Sequence, residues 1–316
     1  MTRKCLVIGG NGFIGKNIVL ELLLKGYSVV VFDIVTNNIR EAVFEHENIH
    51  YIEGDINNTL YLTEQIHDID FVIWLIHTTV PATSMYDVEF DLLSNIPPLI
   101  RFVQHLVQHS SVKKIIYLSS GGTVYGNSSK NIPINETFDK NPISSYGLTK
   151  LVAEEYLTYL TKQSEIETYI LRPSNVYGRF QNLKKPQGLI GHVFKSIILD
   201  EPITVYGDGT IVRDYIHVSD LSKAVIACLE FKERINDSLV LNIGSGQPTT
   251  INDIIHNAEI ITGKKVKIIT KEVRDFDCKF NVLSIEKALS EIKWTPIVDV
   301  NSGMLDEWEW IQNNLK

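Results

Sequence analysis

Six short apolar runs in the first half of the chain, KCLVIG (4–9), SVVVFD (28–33), NIHYIEG (48–54), DFVIWLI (70–76), KKIIYLS (113–119) and TYILRP (168–173), alternate with longer segments of helical pattern. Runs of this length, rich in β-branched residues, read as strands buried on both faces. Strands separated by helices predict right-handed βαβ crossovers, and hence an α/β fold with a doubly wound parallel sheet. After Pro173 the rhythm changes. Short strands near 203–205 and 239–243, with helices near 188–199, 218–231, 250–262 and 302–314, predict a smaller C-terminal α/β lobe. The expected division is 1–173 for the sheet domain, with 214–236 returning to it, and 174–213 plus 237–316 for a substrate-binding lobe.

Composition narrows the class. The chain has 316 residues, 44% of them hydrophobic, and a net charge of -8. An acidic protein without clustered positive charge is a poor binder of nucleic acid or anionic membrane, so neither is expected as a partner. Cys5, Cys228 and Cys278 lie far apart without CxxC spacing, which argues against a disulfide framework or a zinc site and fits a reducing cytoplasm. The N-terminal MTRKCLVIGGNGFIG has basic residues before an apolar run, but that run is short and broken by glycine, so it is not read as a signal peptide. IVLELLLKGYSVVVF is interrupted by Glu21, Lys25 and Gly26, and no membrane span is expected.

The first strand runs directly into GGNGFIG, which sets Gly9, Gly12 and Gly15 at the mouth of a helix, with Phe13 and Ile14 between the last two glycines. In a Rossmann-type βαβ unit these glycines allow a tight turn, close approach of backbone N–H groups to a pyrophosphate, and close packing of helix on strand. The second strand ends at Asp33, where a carboxylate can accept hydrogen bonds from both adenosine ribose hydroxyls. No arginine follows it immediately, which favours NAD over NADP. Asp55 and Ile56, after the third strand, sit where a side chain commonly meets adenine; an isolated Asp there is equally a helix cap.

SSYGLTKLVAEEYL reads as a helix with Tyr146 and Lys150 four residues apart on one face. Tyrosine is a poor base at neutral pH, but a neighbouring ammonium lowers its pKa. Lys150 can supply that charge.

GGNGFIG, Asp33, GDI (54–56), SSGGTVYG (119–126), YGLTK, RPSNVYG (172–178) and YGDGTIVRDYIHVSD (206–220) together resemble the extended short-chain dehydrogenase/reductase family. Within it they are similar to the nucleotide-sugar epimerase/dehydratase branch, nearest to UDP-glucose 4-epimerase-like enzymes. The resemblance implies a bound NAD, with Leu75 and Pro173 among the residues around it, and a lobe closing over a nucleotide diphosphate sugar. It implies that Asn175 meets the sugar-nucleotide phosphates and that Arg213 and Arg274 hold the pyrophosphate. For each arginine the alternative is a surface ion pair. Leu189 and Tyr206 fall where the family packs the base, and as apolar and aromatic residues they are equally core candidates. Helices near 88–109 and 145–163 match those that form the family's homodimer interface.

Departures from the family pattern bear on the reaction. By alignment back from VYG, the usual catalytic serine or threonine is Gly121 here, so Thr123, or alternatively Ser120, is expected to take its place. The family's small residues after the fourth strand are replaced by Trp74-Leu75-Ile76-His77, and His77 either touches substrate or is a hydrogen-bonded packing residue. Arg179 and Gly191 each stand where proline is usual. A 4,6-dehydratase needs an Asp-Glu pair where this chain has Gly122 and Thr123. The resemblance therefore implies C4 epimerisation through a transient 4-keto sugar, with a 4-ketoreductase as the alternative and a non-catalytic NAD-binding regulator as a remoter one.

Overall fold

The computed structural model describes residues 2–34, 46–127, 132–184, 188–233, 237–272 and 279–314. In chain order the elements are β1 (Lys4–Ile8), α1 (Phe13–Leu24), β2 (Ser28–Asp33), β3 (Ile49–Glu53), α2 (Thr59–Gln65), β4 (Phe71–Trp74), α3 (Val88–His109), β5 (Lys114–Leu118), α4 (Ser145–Thr161), β6 (Glu167–Pro173), β7 (Asn175–Tyr177) and α5 (Leu189–Leu199). There follow β8 (Ile203–Tyr206), β9 (Val212–Arg213), β10 (Tyr215–His217), α6 (Val218–Glu230), β11 (Leu239–Ile243), β12 (Thr249–Thr250), α7 (Ile251–Thr262), β13 (Ile268–Lys271), β14 (Phe280–Asn281), α8 (Glu286–Ile292) and α9 (Val300–Asn314).

The main sheet has seven strands in the order β11-β6-β5-β4-β1-β2-β3, and every pairing in it is parallel. Burial on both faces is visible within β1 itself. Cys5 and Val7 join one core with α1 and α6, while Leu6 and Ile8 join the other with α3 and α4. This is why the strands show no polar alternation. The strand order reverses between β1 and β4, and in doubly wound sheets ligands bind in the crevice at that point.

The expected Rossmann-type sheet and the helices after Pro173 are present. One element is placed differently. Strand 239–243, read as part of the lobe, is the seventh strand of the large sheet, paired with β6 from Leu239↔Tyr169 to Ile243↔Pro173. Ala288 and Ile292 of α8 also join the sheet's core. Local sequence pattern cannot identify the partner of a short apolar strand, so this return was not legible.

The lobe gathers α5, α7 and α9 around Val193, Phe194, Ile254, Ala258, Met304 and Ile311. One acid lies inside it. Glu307 on α9 is fully buried, and neither carboxylate oxygen has a hydrogen-bond partner among the described residues. A Cβ at Gly191 would lie 3.0 Å from Glu307 Oε1 and 3.1 Å from Gln181 Oε1, which also lacks a partner. Burial, with Asp306 adding to it, pushes Glu307 up to about 8. At Arg179, expected as a departure from proline, the guanidinium holds Asp306 of α9, with Nε at 2.9 Å. His217 lies against the same carboxylate at 3.4 Å and Ser219 at 2.8 Å, a structural role.

Cys5 and Cys228 are free and buried; Cys278 lies outside the described residues. Among the described residues, no helix is long and apolar enough to cross a membrane.

Candidate active site

The glycine loop closes tightly at the end of β1. Gly9 takes φ +87 and its N–H donates to Phe32 O at 2.8 Å. A Cβ at Gly15 would stand 2.3 Å from Gly9 O, so only glycine lets α1 approach the strand this closely. Helix α1 starts at Phe13 with Gly12 as N-cap and no side-chain cap, which leaves its first N–H groups available for an anion. Asp33 ends β2 beside this loop. Its Oδ2 accepts from Asn11 N at 2.9 Å and its Oδ1 from Ile34 N at 2.8 Å. Leu75 N donates to Ile8 O at 3.0 Å and places its side chain over Gly9. These residues fit a dinucleotide: a bare helix start for the pyrophosphate, a carboxylate for the ribose and an apolar neighbour.

Asp55 does not cap α2. Its Oδ1 accepts from Asn57 N and Nδ2, both at 2.9 Å, in an exposed Asx turn, and the cap is Asn58. Ile56 is buried in the core on the α3 side. Pro173 ends β6, and its carbonyl accepts Gly121 N at 2.8 Å.

The helix reading of SSYGLTK holds. Ser144 caps α4, accepting from Gly147 N at 3.2 Å, and Tyr146 and Lys150 follow on one face. Lys150 is buried, donates to Leu118 O at 2.7 Å, and lies 5.8 Å from the Tyr146 ring centre and 4.9 Å from that of Tyr117. Burial pushes Lys150 down to about 7, against the pull of Glu154 and Asp91. Tyr146 moves the opposite way to the sequence expectation. Burial and then the Asp91 charge push its phenol well above the usual range, so it rests protonated.

The loop SSGGTVYG faces this helix. A Cβ at Gly147 would lie 2.8 Å from Thr123 O, so the tyrosine's own turn rests on the loop. Ser119 donates to Glu154, which also accepts from Arg172 Nε at 3.0 Å, and Tyr125 donates to Asn242 Oδ1 at 2.7 Å; both hydroxyls are structural. Thr123 Oγ1 is covered and has no hydrogen-bond partner among the described residues. Ser120 is half-buried, and its backbone oxygen accepts from Thr123 N and Val124 N. Gly121 cannot carry the family's hydroxyl: a Cβ there would lie 2.6 Å from Leu283 Cδ1 and 2.9 Å from Arg172 O.

His77 faces protein rather than open space. Its side chain is 6% exposed, its ring meets Tyr146 edge-on at 4.4 Å between centres, and its Nε2 lies 3.1 Å from Asp91 Oδ1. Burial, then the Lys150 charge, lower its pKa to about 3, so the ring is neutral.

The sequence reading missed Asp91. It is fully buried on α3 and accepts from Thr79, from His77, from Ser145 Oγ at 2.7 Å and from Thr149 Oγ1 at 2.8 Å. A signal existed: Asp91, Ser94, Asn95, Pro98, Leu99, Phe102, Val103 and Leu106 are all buried and share one helical stripe.

In the lobe, Asn175 is exposed and its Nδ2 donates to Asp214 O at 2.9 Å. Arg213 lies on β9 between Thr249 and Asn281, its Nη1 2.9 Å from Val212 O. Leu189 opens α5 and packs on the lobe core, and Tyr206 ends β8, paired with Lys271. Arg274 lies outside the described residues.

Residues 5–244 match the model of the NAD dependent epimerase/dehydratase family. A dTDP-4-dehydro-6-deoxyglucose reductase of Escherichia coli is 33% identical over 95% of this chain and 94% of its own. A UDP-glucose 4-epimerase of Lactobacillus helveticus is 30% identical over 99% of this chain and 98% of its own. The crystal structure of a UDP-glucose 4-epimerase from Thermotoga maritima, with UDP-glucose, superposes with a TM-score of 0.91 at 29% identity, covering 99% of this chain and 100% of that one. The family model matched from residue 5 to 244, with relatives matched along nearly the whole chain, shows that the chain belongs to the NAD-dependent epimerase/dehydratase family, with NAD as its cofactor.

Proposed function

We propose that the protein epimerises C4 of a nucleotide diphosphate hexose of the UDP-glucose/UDP-galactose type. The observation that carries this reading is the Tyr146–Lys150 pair on α4, set against the loop that follows β5. NAD, held by the glycine loop and Asp33, would supply the hydride acceptor and donor for C4. Tyr146 takes the C4 hydroxyl proton as C4 is oxidised to the ketone and gives a proton back when the ketone is reduced on its other face. Because Tyr146 rests protonated, it needs positive charge beside it to act as the base. Lys150 is the cation the chain provides. Ser120 or Thr123 orients the C4 oxygen; both residues are half-buried, and the Thr123 hydroxyl has no other partner among the described residues. Asn175, Arg213 and Arg274 are assigned to the diphosphate, and Leu189 and Tyr206 to the base. Exposed Val88, Phe90, Leu92 and Leu93 on α3 and Tyr156 and Tyr159 on α4 are assigned to a homodimer contact.

A 4-ketoreductase is the second reading, favoured by the 33% identity to the reductase and by a tyrosine that rests protonated and suits donation to a keto oxygen. The test is to purify the protein without added cofactor and supply UDP-glucose, UDP-galactose, their N-acetyl and uronic forms, or dTDP-4-keto-6-deoxyglucose with NADH. The C4 epimer formed without net cofactor use supports the first reading; stoichiometric NADH consumption with no epimer overturns it for the second. Tyr146→Phe should abolish either turnover while NAD still binds, and retained turnover would refute both.

A further inference from the structure

The sequence motifs leave Asp91 without a task, yet four donors from two segments converge on it. Thr79 and His77 come from the segment after β4 and meet Oδ1; Ser145 and Thr149 come from the first turns of α4 and meet Oδ2. These last two residues flank Tyr146 in sequence, one before it and three after. Asn95, one turn along α3, donates to the Asp91 carbonyl at 2.7 Å and accepts Thr78 N at 2.9 Å, so the segment after β4 is tied to α3 through Asn95 as well as Asp91. Tyr146 is also held by its backbone, its N–H donating to Ser84 Oγ at 3.0 Å.

The carboxylate is ionised. Burial alone would raise its pKa, but the hydrogen bonds from Ser145, Thr79 and Thr149 outweigh that and hold it below the usual range. An ionised carboxylate only accepts, so the His77 nitrogen facing it must carry the hydrogen. That fixes the tautomer and the tilt of the ring, and the edge-on contact carries the constraint to Tyr146.

We propose that Asp91 is a positioning residue for Tyr146: through Ser145 and Thr149 it fixes the turn that bears the tyrosine, and through His77 it fixes the ring. The same buried charge, linked to the tyrosine by the His77 ring, bears on the pH at which the tyrosine exchanges its proton. The proposal rests on the C4 chemistry assigned to Tyr146 above. Among the described residues, the titratable groups around that ring are His77 after β4, Asp91 on α3, Tyr117 on β5, and Lys150 on α4 with Glu154 one turn beyond it.

Two variants separate the geometry from the charge. Asp91→Asn is nearly isosteric, and its amide can still bond the surrounding hydroxyls; Asp91→Ala removes both charge and bonds. In NAD-loaded protein, Asp91→Ala should lower kcat about tenfold or more while KM changes by less than about threefold, since the sugar nucleotide is bound by the lobe. Asp91→Asn should recover most of that turnover. Removing a negative charge lowers the proton affinity of both Tyr146 and Lys150, so its pH profile should move to lower pH, by about one unit. A purely structural role would lower melting temperature and leave the profile in place. Turnover of Asp91→Ala within about twofold of the parent, or an Asp91→Asn profile that superposes on the parent's, overturns the proposal.

An activity-free measurement isolates this proposal from the functional reading. The 15N shifts of His77 should report the Nε2–H tautomer in the parent and a tautomeric mixture in Asp91→Ala. If the parent turns over no nucleotide sugar, the C4 reading fails. A His77 tautomer unchanged in Asp91→Ala overturns the role of Asp91 whatever the substrate.

Discussion

Glu307→Gln should stabilise the protein, and increasingly so as the pH rises. Glu307 is fully buried on α9, both its oxygens lack partners among the described residues, and burial moves its pKa from 4.5 to about 8. Because the folded value lies above the unfolded one, the native state holds a proton that the unfolded chain releases. Stability is therefore fully present below pH 4.5 and falls as pH rises towards 8, by about 1.4 kcal/mol per unit. The loss reaches roughly 3 kcal/mol by pH 7 and roughly 4 kcal/mol by pH 8. A glutamine has the same shape, does not titrate, and can donate to the unpartnered Gln181 Oε1 near it. Thermal melts of parent and variant should nearly coincide at pH 5 and diverge above it. In a chain of this length, about 3 kcal/mol corresponds to a rise of roughly 5 °C at pH 7. All other titrating groups are common to both proteins and cancel in the difference. A melting difference that stays constant with pH, or a variant that melts lower at pH 8, would refute the argument that Glu307 is a buried neutral acid.

The loop after β5 yields three more outcomes. Thr123→Val removes a covered hydroxyl that has no partner among the described residues, so it should raise stability by about 1 kcal/mol in calorimetry; if Thr123 is the group that orients the sugar oxygen, kcat falls at the same time, whereas a loss confined to Ser120→Ala assigns that role to Ser120. Ser119→Ala should leave kcat near the parent's value but cost about 1–3 kcal/mol in denaturant melts, because Glu154 loses one donor in a buried network. Gly121→Ser should destabilise by about 1–3 kcal/mol through overpacking, with part of that recovered in the double variant with Leu283→Ala; full stability of the single variant would show that the loop yields where the contact distances say it cannot.

The sheet was legible because each strand carries its own evidence: a run such as SVVVFD, buried on both faces, has no reading as a surface strand. The glycine loop and the Tyr-Lys helix were legible because their function depends on fixed short spacings. Asp91 was not, since its meaning comes from partners 12 to 58 residues away, and the stripe it shares with Ser94, Asn95 and the apolar residues of α3 does not say which groups meet it. The proton affinity of Tyr146 was misjudged for a related reason. A lysine four residues away suggests a lowered pKa, but burial affects both groups and outweighs the pairing. Gly191 read as a missing proline; the structure shows it lining a space shared with Glu307 and Gln181.

The late arrival of β11 has a consequence for how the chain is made and how it can be divided. β6 is complete at Pro173, but the strand that covers its outer edge begins only at Leu239, after α5, β8 and α6. Until then the growing sheet ends in a bare, apolar row of hydrogen-bonding groups, the feature most prone to pair with a neighbouring chain. A fragment stopped at residue 173 would keep that exposed edge permanently. Expressing the nucleotide-binding half by itself therefore calls for a covering strand grafted after β6, and lobes cannot be exchanged between relatives at a single junction without carrying residues 239–243 along with the sheet they complete.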